Sequence, residues 1–221
     1  MKIKAVITGS TGMVGEGVLH ECLLHPDVEK VLVINRRPCQ VQHPKLTEII
    51  HGDFSDFSTI EGDLAGYNAA YLVMGVSSVG MKEDKYRYLT YDMTLALARP
   101  LARLNPDMTL CYVSGAGTDS TENGRIMWAR VKGKTENDLM KLPFRQTFMF
   151  RPAFMQPTEG LKNTFKAYKY LSPLFPALKY VFPKYVCTLA EVGIAMINTV
   201  NAGYRKQILE VSDIIELATK K

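Results

Sequence analysis

The stretch "TGSTGMVGEG", residues 8 to 17, follows an apolar run, "KAVI", and passes straight into the helical spacing of "GEGVLHECLLHP". Gly9, Gly12 and Gly15 recur at every third position within it. A strand that turns this tightly into a helix has few folded solutions. The first glycine permits the tight turn, the second lets the backbone approach a pyrophosphate, and the third lets the helix pack closely on the sheet. Free amides at the helix start then face the anion. Glycine and serine also mark ordinary loops. The strand before and the helix after are what turn this motif into a dinucleotide site.

The remainder of the chain repeats the alternation. "KVLVINR", "LTEIIHGDF", "AAYLVMG", "MTLCYVSGAG" and "RQTFMFRP" read as strands, and longer segments of helical periodicity separate several of them. One helix is expected from about Asp84 to Leu104, bent at Pro100, and another from about Gly124 to Leu142. "TLAEVGIAMINTVNAG" reads as a helix with Thr188 as N-cap and Gly203 as its stop, before a short strand and helix in "KQILEVSDIIELAT". The fold class is therefore α/β: a doubly wound Rossmann fold, its mainly parallel sheet flanked by helices, with a small C-terminal elaboration on the substrate side. A chain of 221 residues, 47% hydrophobic and without internal repeat, suits one domain over 1–221, with 155–187 as a lid or insertion.

Charge and cysteine content narrow the partners. The net charge of +5 suits an anionic ligand, and without a dense basic run no nucleic-acid partner is expected. Cys22, Cys39, Cys111 and Cys187 lack the spacing of a metal site or a disulfide scaffold, so free thiols and no metal are expected. No apolar run reaches the roughly 18 to 20 residues of a membrane span. With the first strand starting close to residue 1, a signal peptide is not expected and the cytoplasm is the default location.

The second strand ends in "NRRP". A carboxylate there would bind the adenine ribose of NAD, whereas Arg36 and Arg37 can pair with the 2′-phosphate of NADP or form a solvated surface pair. NADP is thus favoured over NAD. Asp53, in "HGDF", stands where a carboxylate could meet the adenine amino group or simply cap its loop.

Together these residues resemble the short-chain dehydrogenase/reductase superfamily, and its atypical branch of NmrA-like and Tat-interacting-protein-like proteins, often labelled nucleoside-diphosphate-sugar epimerases. The likeness spans "TGSTGMVG", "GDF", "VSGAG", "WARVKGKTE" and "RPAF". It implies that Gly9, Ser10, Thr11, Gly12, Met13, Val14 and Gly15 line the pyrophosphate turn, that Asp53 meets adenine and that Gly75 lies beneath the cofactor. In active members a serine polarises the substrate carbonyl, a tyrosine exchanges the proton, and a lysine holds the nicotinamide ribose and lowers the tyrosine pKa. Ser114 and Lys132 match, but Trp128 stands in the tyrosine position. An indole N–H donates a hydrogen bond yet delivers no proton at physiological pH. Ser114 reads equally as a loop serine, and Lys132 alternatively as an exposed helical lysine.

Tyr86, Tyr88, Tyr91, Lys132 and water are further proton donors to weigh, although tyrosines in such a helix commonly serve packing. His20, His25, His43 and His51 lie away from the expected catalytic side. Aromatic residues and lysines interleave through 162–184, as a substrate lid, a core-covering insertion, or a membrane-surface or protein contact. The sequence thus reads as an NADP-binding atypical oxidoreductase acting on a small-molecule carbonyl or nucleotide-sugar-like substrate. The alternative is an inactive NAD(P)-sensing or interaction regulator. Trp128 divides the two, and neither substrate nor oligomeric state can be read from the sequence.

Overall fold

The structure, a computed structural model, describes residues 2–163 and 175–220. Its centre is a seven-stranded sheet of β1 (Ile3–Thr8), β2 (Val28–Asn35), β3 (Leu46–Ile50), β4 (Ala69–Leu72), β5 (Thr109–Val113), β6 (Gln146–Arg151) and β9 (Ile208–Glu210). The strand order is β3-β2-β1-β4-β5-β6-β9, and every pairing is parallel. Burial on both faces is why β4 and β5 read as continuous apolar runs rather than alternating ones. The order reverses between β1 and β4, so the loops after these strands diverge and leave a crevice at their C-terminal ends.

Two apolar layers cover the sheet. On one face α1 (Met13–Leu24), α6 (Leu189–Ala202) and α7 (Val211–Thr219) bury Val18, Leu19, Val192, Met196 and Ile214. A Cβ on Gly17 would lie 2.9 Å from Leu189 Cβ, so the glycine allows α1 and the start of α6 to touch. The other face carries α3 (Met93–Leu104), with Leu97 and Leu101 buried, and Leu139 of α4 (Met127–Leu139). Thr188 caps α6 through a reciprocal pair with Glu191, and Gly203 ends the helix at φ 64°, as the sequence predicts.

The long helix expected from Asp84 departs from regularity before Pro100. It begins as α2 (Glu83–Arg87), widens into a π turn at Tyr88–Asp92, and continues as α3. The Met93 amide donates to Tyr88 O, five residues back, and the shifted register brings Leu89 and Met93 to the crevice. A further pair of strands, β7 (Phe154–Gln156) and β8 (Val186–Thr188), forms a small separate parallel sheet, with the short α5 (Phe175–Val181) before β8. Sequence periodicity misses it, because three-residue strands carry almost no pattern.

The glycine turn holds one of the tightest backbone contacts in the protein. A Cβ on Gly15 would fall 2.1 Å from Gly9 O, whereas one on Gly62 would meet nothing within 4 Å. Gly15→Ala is therefore expected to cost about 1–3 kcal/mol in urea unfolding, and Gly62→Ala to stay within about 0.5 kcal/mol of the parent. Equal midpoints for the two variants would show that the turn relaxes freely.

Candidate functional site

Two adjoining cavities occupy the crevice. The smaller, about 350 Å³, runs along Gly12, Met13, Val14 and Gly15 and continues past Gly75 to Leu89 and Met93. The larger, about 870 Å³, lies between the end of β2 and residues 162–163. Gly9, Thr11, Arg36, Phe54 and Met74 border both. No side chain caps α1, whose N-cap is Gly12. Its first-turn amides thus have an anion's place before them. Gly9, at φ 77°, makes the turn, and a Cβ there would press on Val73 O at 2.9 Å. Around Gly12 the nearest atom to a Cβ is Gly9 O at 3.5 Å, leaving the approach open. This cradle fits the diphosphate of a dinucleotide.

Ser10 is the exception within the turn. Its buried hydroxyl donates to Asn35 Oδ1 (2.9 Å), and Asn35 Nδ2 donates to Glu48 Oε1 (2.7 Å), which also accepts from the Cys39 amide. The Ser10 side chain therefore faces the sheet and lines neither cavity, because Asn35 consumes its donor. The same chain occupies Glu48, the nearby acid on β3. Arg36 and Arg37 are exposed at the larger cavity, and among the described residues no hydrogen bond or ion pair engages either side chain. Asp53 instead accepts from the amide and hydroxyl of Ser55 through Oδ1, which holds its carboxyl below the usual range. Through Oδ1 it caps its own loop, and its neighbours Gly52 and Phe54 line the larger cavity.

On α4, Trp128, Lys132 and Glu136 are four residues apart and share a face. The indole lies against Gly117, where a Cβ would sit 3.6 Å from Trp128 Cη2. Lys132 donates to the backbone carbonyl of Ser114. Burial lowers its ammonium from the usual lysine range to about 8, although Glu136 pulls the other way. Glu136, fully buried, accepts from the Ser114 hydroxyl and from Arg151, whose Nε lies 3.0 Å from Oε1 and whose Nη2 pairs with Oε2. Arg151 also donates to Ser120 Oγ at 2.6 Å and faces Glu210.

This network revises what the resemblance implies for Ser114. A hydroxyl has one proton, and here it points to Glu136, with Phe150 O as a second acceptor at 3.2 Å. The donor expected to polarise a carbonyl is thus committed to the ion pair. Glu136 and Arg151 escape a sequence reading because their partners lie on different elements, α4 and β6.

The remaining expectations divide. Tyr86 is buried, Tyr91 donates to Asp138 Oδ2 at 2.8 Å, and Tyr88 is exposed; none lines the two crevice cavities. His51 packs between Phe54 and Phe57 and contacts Asp56 O. The four cysteines are free, three of them buried. Of the aromatic and lysine-rich segment, Phe165, Lys166, Tyr168, Lys169, Tyr170, Leu171, Pro173 and Leu174 lie outside the described residues. Within the described part Phe175 is buried, Tyr180 and Phe182 are exposed, and Lys179 pairs with Glu191. Among the described residues no helix is long and apolar enough to cross a membrane.

Comparison with known proteins agrees with this architecture. Residues 5–123 match the family described as NAD dependent epimerase/dehydratase. The chain is 25% identical to Protein FMP52, mitochondrial, of Kluyveromyces lactis, over 99% of this chain and 100% of that one. It is 30% identical to Protein fmp52-1, mitochondrial, of Aspergillus oryzae, over 67% of this chain and 64% of that one. A short-chain dehydrogenase/reductase family oxidoreductase of Burkholderia thailandensis superposes with a TM-score of 0.69 at 13% identity, covering 98% and 93% of the two chains. The ADP-L-glycero-D-manno-heptose-6-epimerase of Helicobacter pylori does so with 0.68 at 15% identity, covering 98% and 81%. The structural likenesses establish the Rossmann fold. The relatives' mitochondrial names overturn the cytoplasmic expectation. That expectation rested on a first strand that starts close to residue 1 and on the lack of a long apolar run, neither of which distinguishes one aqueous compartment from another.

The Glu136–Arg151 pair yields a direct test. Glu136→Gln leaves the largely enclosed Arg151 charge with only the more distant Glu210 as counterion and should cost about 3 kcal/mol in chemical denaturation. Glu136→Leu combined with Arg151→Met should cost less than the two single changes added together. Strict additivity would show that the two side chains act independently.

Proposed function

Because the chain belongs to the NAD dependent epimerase/dehydratase family, we propose that it binds NADP(H), with the diphosphate at the glycine turn and the 2′-phosphate at Arg36 and Arg37. The observation that supports this is the wall of the larger cavity: two exposed guanidinium groups stand where NAD binders carry an acid, and no Asp or Glu lines it among the described residues. Asn35, the last residue of β2, is tied to Ser10 and Glu48 and offers no carboxylate to a ribose. When bound, the nicotinamide supplies or accepts a hydride.

The positions around that chemistry serve the fold in this chain. The Ser114 proton is directed at Glu136, and Trp128 has no proton to give. Both features support a cofactor-responsive binding protein whose turnover has been lost. Lys132 supports a second reading, an oxidoreductase of small carbonyl or nucleotide-sugar-like compounds. An ammonium that titrates near 8 can act as an acid close to neutral pH. Its role would be to donate from Nζ, replacing the missing phenol.

One experiment tests the phosphate assignment, and a second separates the two readings. Arg36→Ala with Arg37→Ala should weaken NADPH binding by about tenfold to a hundredfold, the loss of one or two charge-assisted contacts, and leave NADH almost unchanged. Equal weakening of both would sink the phosphate assignment. Mixing the NADPH complex with a panel of aldehydes and ketones should give no oxidation under the first reading. Under the second, oxidation appears, and its rate falls as pH rises through about 8, because the deprotonated Lys132 amine has no proton to transfer.

A further inference from the structure

The larger cavity is lined by Lys162 and Asn163, which belong to the segment after β7, as well as by Arg36 and Arg37. What brings this distant segment to the cofactor cleft is Glu16, the residue that follows Gly15 in the first turn of α1. Its carboxylate, only 9% exposed at the residue level, accepts the Lys162 amide at 2.8 Å and the Asn163 amide at 2.7 Å, one on each oxygen. A negative charge in the first helical turn is favourable in itself. Two charge-assisted bonds to neighbouring amides also fix the Lys162 backbone. Glu16 contacts Lys162 through the backbone amide, and among the described residues no hydrogen bond or ion pair holds the lysine ammonium.

We propose that Lys162 is a third recognition residue for the 2′-phosphate of NADP(H), and that Glu16 is the positioning residue that holds it at the same cavity as Arg36 and Arg37. The inference rests on the NADP reading above. Lys162 lines the cavity that carries the two arginines and does not line the smaller one along Gly12–Gly15, where the diphosphate fits. Three cations around one cavity repel one another, and a dianion placed among them relieves that repulsion. Arginine supplies a directional fork at such a site, and lysine a point charge that tolerates small shifts of the phosphate.

The test is calorimetric titration of the full chain with NADPH and NADH, using Lys162→Met, Glu16→Gln and the combination of both. Lys162 is exposed, so its substitution by methionine leaves folding intact. Lys162→Met should weaken NADPH by about tenfold, the loss of one charge-assisted contact, with NADH unchanged. Glu16→Gln, which keeps only one acceptor for the two amides, should lower the NADPH-to-NADH affinity ratio in the same direction. In the Lys162→Met background it should lower that ratio no further. An unchanged ratio in Lys162→Met, or an equal loss for both nucleotides, would overturn the assignment; equal loss would place the lysine at the diphosphate. If Glu16→Gln does not fold, Lys162→Met alone decides. Failure of the NADP reading itself looks different: the unaltered protein and Arg36→Ala with Arg37→Ala would show the same NADPH-to-NADH ratio.

Discussion

The close approach of Gly15 to the carbonyl of Gly9 governs the site. With only hydrogen on the Gly15 Cα, α1 can begin directly over the end of β1, where a methyl group would sit 2.1 Å from that oxygen. From this contact the neighbouring elements take their places. The uncapped start of α1 faces the smaller cavity, Ser10 reaches back to Asn35 and so fixes the end of β2 beside the arginines, and Glu16 reaches outward to the amides of 162 and 163. One steric exception thus sets the diphosphate cradle, the cationic wall and the segment that lines the same cavity.

A second constraint acts on α4. Its inward face presents Trp128, Lys132 and Glu136 in successive turns, against the end of β5 and the end of β6. In relatives that rely on a serine, a tyrosine and a lysine, this face carries the proton chemistry. Here a fully buried glutamate, held by Arg151, accepts the serine hydroxyl's hydrogen bond, and the lysine ammonium donates to the backbone carbonyl of that same serine. A buried carboxylate with no cation beside it is costly, so Arg151 at the end of β6 and Glu136 on α4 depend on each other. The cofactor cradle and the α4 face are therefore separable: the former requires glycines and arginines, the latter an ion pair that the former does not touch.

How much of this is legible without coordinates depends on range. Strands β1, β2, β4, β5 and β6 announce themselves because parallel strands buried on both faces are unbroken apolar runs, and α6 because Thr188, Glu191 and Gly203 are local signals. The glycine turn is legible for the same reason. The π turn at Tyr88–Asp92 is not, since one extra residue in a helical turn leaves the amphipathic pattern almost intact. Nor are the Glu16 contacts, which join residues 146 and 147 positions apart. Ser10, Asp53 and Ser114 illustrate a subtler limit. Each stands at a position where the resemblance implies a ligand, and each also bonds within its own fold, to Asn35, Ser55 and Glu136 respectively.

The most direct measurement is calorimetric titration of the unaltered protein with NADPH and with NADH at two salt concentrations. A cationic wall that receives a 2′-phosphate predicts tighter binding of NADPH, with a preference that shrinks as salt screens the exposed guanidinium groups. Equal affinity for the two nucleotides at both salt concentrations, or binding of neither, would contradict the account.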